Sequence, residues 1–280
     1  MRVRLAPLAL LLVAAMWGMT FVLMKEAIKR QDVNSFLFTR FALAAFAMLL
    51  IRPRIVKIFT KDLISKGFLI GSFLAAGYIM QTLGLSQSTA ATTGFITGLY
   101  VVATPLLAAM VLKEKIPART WFYIGIATVG LAFLSIHGWA VGTGELLVLG
   151  SAVAFAAHIV ALGKWSSGRD SYALTVIQLA TCALLSGIAS IKDGYHLPPD
   201  SGVWGVVIFT AIFASAIAFM VQTWSQARIS ATKVAVILTM EVVFAAFFAV
   251  IFGNEILTSQ LVLGGILVVT AMYLIVLQEA

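Results

Sequence analysis

Glu241 is the side chain in this sequence best placed to do chemistry, because it stands near the centre of a long apolar run, residues 231 to 252. An ionised carboxylate in such surroundings is costly unless it is paired, solvated in a cavity, or neutralised by a proton. It can therefore take up a proton or bind a substrate amine. The other reading is a carboxylate that permanently braces a neighbouring helix through Arg40 or a hydroxyl. Arg40 is the only basic residue well inside an apolar run. Its planar fork suits a carboxylate, either a substrate's or that of Glu241. Alternatively, it snorkels to a headgroup layer or ties a helix to a backbone carbonyl.

Around these two lies a set of polar and aromatic residues at helical spacing. Thr93, Thr97, Tyr100 and Thr104 fall on one face of a helix, where hydroxyls either meet a ligand or bond to carbonyls. Tyr78-x-x-Gln81 and Phe219-x-x-Gln222 each offer an aromatic and an amide, and an amide deep in lipid needs a partner, which favours a face toward the bundle interior. Trp17 and Phe155 are either cavity walls that stack a ring or packing residues. His158 can relay protons or serve as a satisfied structural histidine. Pro105 lacks the N–H that would bond to the Val101 carbonyl, so it can hinge a gate or merely shape the bundle, while Gly94-x-x-x-Gly98 allows close helix approach. Glu114 and Glu255 stand near the ends of apolar runs, where they are expected to cap helices or pair with basic neighbours and so hold closed gates.

The elements that carry these groups are membrane helices. Apolar residues make up 61% of the chain and charged ones 11%, too little polar surface to cover a soluble core. A crossing helix needs about 20 apolar residues. Ten runs qualify: 5 to 24, 34 to 51, 67 to 85, 90 to 112, 119 to 137, 144 to 163, 171 to 191, 203 to 224, 231 to 252 and 258 to 278. They are continuous, so the alternating pattern of a transmembrane barrel is excluded. Arg2 and Arg4 before an apolar stretch resemble a signal peptide, but no small-x-small site follows, and a permanent first helix is expected. The connections 52 to 66 and 192 to 202 are the longest.

The net charge of +8 is explained by its distribution and needs no nucleic acid. With the N-terminus inside, the inner segments collect most lysines and arginines, and the outer ones hold only Lys25, Lys29, Arg30 and Lys192. The positive-inside rule then predicts both termini in the cytoplasm, with Lys25 to Arg30 as the discordant loop. The single cysteine, Cys182, lies within a span and leaves no disulfide or thiolate cluster.

The two halves of the chain also match one another. Trp17 pairs with Phe155, Asp32 with Asp170 and Arg40 with Gln178 at one constant offset; Tyr78 pairs with Phe219, Gln81 with Gln222, Tyr100 with Glu241 and Glu114 with Glu255 at an offset three residues longer. Five spans per half put the copies in opposite orientations, as in many secondary transporters. The boundary falls in the glycine-containing stretch 137 to 144, dividing the chain into a first repeat, 1 to 140, and a second, 141 to 280.

These residues resemble EamA-type transporters of the drug/metabolite transporter superfamily across essentially the whole chain. The resemblance rests on Trp17-Gly18-x-x-Phe21, Arg40-Phe41, Tyr78 with Leu83-x-Leu85 to Ala91, and Pro105 with Glu114 downstream. It rests also on Met240-Glu241-x-Val243-Phe244-Ala245-Ala246 and Asn254-Glu255-x-Leu257-Thr258. It departs at Val242, where the family usually has a proline, so a kink in the ninth span loses its usual cause. Lys113 and Asn254 also replace the glycine that commonly precedes the glutamate of that last motif.

The resemblance implies an all-α membrane protein of ten helices in two inverted five-helix repeats. It further implies export of amino acids or related small metabolites by alternating access across a plasma membrane, the bacterial inner membrane. Uptake or facilitated diffusion of such compounds is the alternative within transport. A substrate, protons as a candidate coupling ion and the lipid bilayer are the expected partners, and a monomer or weak dimer the expected state. No cofactor or metal is implied. An intramembrane enzyme would need a Gly-x-Ser-x-Gly, a His-Glu-x-x-His or a facing aspartate pair, and the sequence has none of them.

Overall fold

The computed structural model describes residues 2–88, 90–135, 142–191, 194–252 and 258–277. All its regular structure is helical: α1 (Arg2–Ala27), α2 (Val33–Ile51), α3 (Lys61–Gln87), α4 (Ala90–Gly98), α5 (Tyr100–Val111), α6 (Ala118–Ser135), α7 (Thr143–Trp165), α8 (Ser171–Ser190), α9 (Ser201–Ala211), α10 (Ala218–Gln226), α11 (Ala231–Leu238), α12 (Met240–Phe252) and α13 (Ser259–Leu277), with a 3₁₀ turn over Pro53–Ile58. Every backbone group in lipid must be bonded within the chain, and helices meet that demand locally. Seven stretches among the described residues are long and apolar enough to cross a membrane. The other three expected spans are helical as α4 with α5, α6 and α13, with shorter apolar helices at Ile96–Val111 and Val262–Ala271.

Three spans are composite. The fourth is α4 plus α5, the ninth is α11 plus α12, and the eighth joins α9 to α10 through a π-helical segment, Ile212–Ile217. At the break in the fourth span, Leu99 N–H donates to the Ile96 carbonyl at 3.2 Å and Val102 N–H to the Leu99 carbonyl at 3.0 Å. These are three-residue bonds, which tighten the helix. Pro105 lies further along, inside α5, so the interruption expected from it falls instead at Leu99. The ninth span breaks without a proline: Thr239 Oγ1 donates to the Val236 carbonyl at 2.5 Å, and Val242 N–H to the Thr239 carbonyl at 3.1 Å. A threonine hydroxyl that competes for a carbonyl one turn back bends a helix in this way.

Start signals recur in the two halves. Asp32 accepts from Ser35 N–H and Asp170 from Ala173 N–H, each at 2.9 Å, and so cap α2 and α8. Caps of this kind are worth about 1 kcal/mol. The expected long loop 52 to 66 is shorter than its composition suggests. Thr60 caps α3 by accepting from Leu63 N–H, and the polar residues from Lys61 onward extend that helix.

Packing follows the repeat. The first span lies against the ninth and the sixth against the fourth; the third lies against the sixth and the eighth against the first; the second packs on the seventh and the fifth on the tenth. Exchanging the halves span for span leaves this set of neighbours unchanged. The outer surface is apolar, with Leu12, Phe46, Ile51, Met110 and Phe122 exposed, whereas Arg40, His158, Gln178 and Glu241 are buried. That inside-out distribution suits lipid contact. Trp121 and Trp204 lie partly exposed near span ends, and Trp165 lies beneath Lys66 and Lys164, while Trp139 falls outside the described residues.

Candidate functional site

A chamber lies within the bundle, with about 40 Å³ open to water-sized molecules inside a larger hollow of about 390 Å³ that includes open solvent. At roughly 10–15 Å³ for each such molecule, the open part holds a few waters or one small solute. Trp17 reaches it from α1; Leu74, Tyr78 and Gln81 from α3; Thr97 and Tyr100 from either side of the break in the fourth span; Phe155, His158 and Ile159 from α7; Phe219 and Gln222 from α10; and Leu238 and Glu241 from either side of the break in the ninth. Ten of these thirteen form five repeat pairs: Trp17 with Phe155, Tyr78 with Phe219, Gln81 with Gln222, Thr97 with Leu238, and Tyr100 with Glu241. The chamber therefore draws equivalent positions from both repeats.

One close approach positions Glu241. A Cβ on Gly18 would lie 2.7 Å from the Glu241 carbonyl oxygen, the Ala245 nitrogen and the Phe244 Cβ, so α1 lies directly on the backbone that bears the carboxylate. The two half-span breaks put Tyr100 and Glu241 in the first turns of α5 and α12.

Several polar atoms facing this region have no protein partner. The Glu241 carboxylate takes part in no hydrogen bond or ion pair with a described residue, and the Tyr100 hydroxyl and Gln222 Oε1 are buried without partners. Buried polar groups are normally satisfied, so such a cluster marks where water or a ligand belongs. Each of the nitrogen donors makes a bond to protein, with one N–H of each glutamine amide used. Trp17 Nε1 donates to the Ala214 carbonyl at 2.8 Å, Gln81 Nε2 to Thr97 Oγ1 at 3.1 Å, and Gln222 Nε2 to Gln226 Oε1 at 3.0 Å. His158 Nε2 lies 2.9 Å from Gln178 Oε1, and since an amide oxygen only accepts, the imidazole nitrogen donates. The aromatic walls touch in sequence: Trp17 and Phe219 have centroids 5.2 Å apart, Phe219 and Tyr78 6.0 Å, and Tyr78 and Phe155 5.3 Å.

Of the readings open for Arg40, the structure shows the tie to a backbone carbonyl and not the chamber or the Glu241 pair. Arg40 is fully buried, so it does not snorkel, and it neither lines the chamber nor pairs with Glu241. Its Nε donates to Ser215 Oγ at 2.8 Å and its Nη2 to the Ala214 carbonyl at 3.4 Å, while Nη1 lies 3.3 Å from Met24 Sδ. The guanidinium stacks 4.9 Å from the Tyr78 centroid. Ala214 and Ser215 belong to the π-helical segment, whose wider turn loosens the regular ladder and leaves carbonyls for side chains. Arg40 and Trp17 together thus fasten that segment. Only a cluster of small residues, Ala211, Ala214, Ser215 and Ala216, hints at it in the sequence.

The remaining candidates lie apart from the chamber. Glu114 accepts from Thr232 Oγ1 at 3.2 Å, joining the turn after the fourth span to the start of the ninth. Glu255 is outside the described residues. Thr93 and Thr104 are buried with unpartnered hydroxyls but do not line the chamber. Two ion pairs had no sequence reading: Arg30 with Asp200 at 2.6 Å, joining the turn after the first span to the start of the eighth, and Arg169 with Asp62 at 2.7 Å, joining the turn after the sixth to the start of the third. Asp62 and Asp200 stand at the same offset as Asp32 and Asp170, which is the signal that could have found them. The Asp200 carboxyl is held below the ordinary carboxylate range by the Val203 N–H, with Arg30 and the Gly202 N–H adding to the effect.

A family model described as the EamA-like transporter family matches residues 4–136 and again 142–277. A curated protein of Archaeoglobus fulgidus, named only as an uncharacterized transporter, is 33% identical over 273 residues, covering 98% of this chain and 86% of that protein. A solved crystal structure superposes with a TM-score of 0.80 at 17% identity, covering 98% of this chain and 96% of the other, a likeness of fold.

Proposed function

Since the chain belongs to the EamA-like transporter family, a family of transporters and not of enzymes, we propose that this multi-pass membrane protein is a secondary transporter. It carries amino acids or related small metabolites out of the cell across the plasma membrane by alternating access around the central chamber. The observation that carries the reading is the chamber itself, lined by five repeat pairs and furnished with unpartnered polar atoms at Tyr100 and Gln222 and a Glu241 carboxylate in no ion pair with a described residue. Substrate sites at the interface of inverted repeats have this character.

The orientation follows from the spans. Five antiparallel crossings per half invert the second copy, and the lysine and arginine distribution favours cytoplasmic termini. In that orientation the Arg30–Asp200 pair belongs to the outer end and the equivalent Arg169–Asp62 pair to the inner end. Each joins one half to the other and is partly exposed, so each is weak enough to open. The discordant outer cations are partly offset, Arg30 by Asp200 and Lys29 by Glu26. Glu241 is the candidate for proton coupling, since a buried carboxylate with no partner is satisfied by a proton, water or a cationic ligand.

Reconstituted vesicles of both orientations, given a panel of amino acids and amines with and without a pH gradient, test this reading. Efflux from the cytoplasmic side is expected, and Glu241→Gln is expected to abolish its response to the gradient. A Glu241→Gln protein with unchanged rate and pH response would remove this carboxylate from the mechanism.

A further inference from the structure

Resting on that reading of the chamber, we infer that it selects small organic amines over the amino acids from which they differ by a carboxylate, because its wall offers a carboxylate and further acceptors to an ammonium group and no cationic side chain to an anion. Three independent features of the wall agree. The free hydrogen-bonding capacity is acceptor-rich, with Gln222 Oε1 buried without a partner, the Glu241 carboxylate in no hydrogen bond or ion pair with a described residue, and the Tyr100 hydroxyl as the amphoteric third. An ammonium has three donors and no acceptor, so these groups complement it. The walls include the Trp17, Phe155 and Phe219 rings, whose faces attract cations most strongly where water is excluded.

The third feature is the lack of a counter-charge for a carboxylate. Among the described residues, no lysine or arginine lines the chamber. Arg40 is the nearest candidate, yet it lies on Tyr78 and bonds to Ser215, Ala214 and Met24. To reach a substrate it would have to leave the π-helical segment it fastens. The single N–H of Trp17, and one of the two on each of Gln81 and Gln222, are likewise turned to protein acceptors. The positive end of α12 already has Glu241 in its first turn, so that helix start is not free for an anion either. A zwitterion would bury its carboxylate unpaired, at a cost that an amine of the same skeleton avoids.

Matched probes separate these possibilities: isobutylamine, valine and isovalerate share a branched skeleton and differ in which charged group they carry, and phenethylamine with phenylalanine repeats the comparison at larger size. Binding to the purified full chain is measured by calorimetry, and exchange by counterflow in liposomes. The amines are expected to bind at least about tenfold more tightly than the corresponding amino acids, with isovalerate showing no binding. Glu241→Gln is expected to remove the amine preference, and Phe219→Leu to weaken amine binding with a smaller effect. Valine or phenylalanine binding as tightly as its amine would overturn the inference while leaving the transporter reading in place. Failure of every probe to bind or exchange would overturn both, because the chamber would then not be a site for amine-bearing metabolites.

Discussion

Replacing Gly18 with alanine tests the contact on which the whole chamber depends. The added methyl would meet three atoms of α12 at 2.7 Å, two of them backbone. Carbon atoms pack comfortably at about 3.5–4.0 Å, so α1 and α12 must separate by roughly 1 Å. Neither backbone atom can swing aside as a flexible side-chain end would. Overpacking of this kind costs about 1–3 kcal/mol, which for a chain of this size lowers the melting midpoint by roughly 2–10 °C. Transport should fall as well, since the Glu241 carbonyl is among the atoms pushed. Gly125 supplies the control: it lies in α6 with nothing within 4 Å of an added Cβ, so Gly125→Ala should leave stability unchanged or raise it by about 0.4–1 kcal/mol. Thermal unfolding in detergent and vesicle transport, run on both variants, decide the matter. Gly18→Ala melting and transporting like the parent protein would refute the close helix approach and the positioning of Glu241 derived from it.

Thr239→Val removes the hydroxyl that bends the ninth span; the melting midpoint should hold or rise while transport falls, and equal transport would show that the break does not depend on that bond. Arg40→Lys keeps the charge but loses the fork, so about 1.5–3 kcal/mol of stability should go with the bonds to Ser215 and Ala214, measured as a drop in the unfolding midpoint. Asp200→Asn and Asp62→Asn loosen opposite ends and should shift accessibility to a membrane-impermeant thiol reagent, at cysteines placed on the two ends, in opposite directions; a shift in the same direction would argue against equivalent latches. Because the Asp200 carboxyl is held below its ordinary range, its contribution to stability is complete above the unfolded value, near pH 4, and is lost as pH falls through the lower folded value. Parent and Asp200→Asn melting midpoints should therefore keep a constant separation between pH 5 and 8 and converge only in stronger acid.

Much of the candidate site was legible before any coordinates, for an identifiable reason. The repeat pairing of Trp17 with Phe155, Tyr78 with Phe219, Gln81 with Gln222 and Tyr100 with Glu241 marks equivalent positions of the two halves, and all eight line the one chamber. His158 and Thr97 also line it, although Thr93 and Thr104 of the same hydroxyl face do not. Leu74, Ile159 and Leu238 escaped notice because an apolar residue in an apolar span carries no distinguishing mark. The direction of Arg40 was open between three readings in sequence. Its burial against Ser215, 175 positions away, decided it.

Sequence alone determined the helices, their approximate extents and the doubling of the chain, because apolar length and pairwise matches are properties of the linear order of residues. Tertiary structure decided which polar atoms remain unpartnered, where the fourth and ninth spans break, how the eighth widens at Ile212–Ile217, and which aspartates pair with an arginine of the other half. The ion pairs and the fastening of the Ile212–Ile217 segment by Trp17 and Arg40 depend on residues more than a hundred positions apart meeting at atomic distance, and the geometry of such meetings is set by how whole helices pack, which no local pattern encodes.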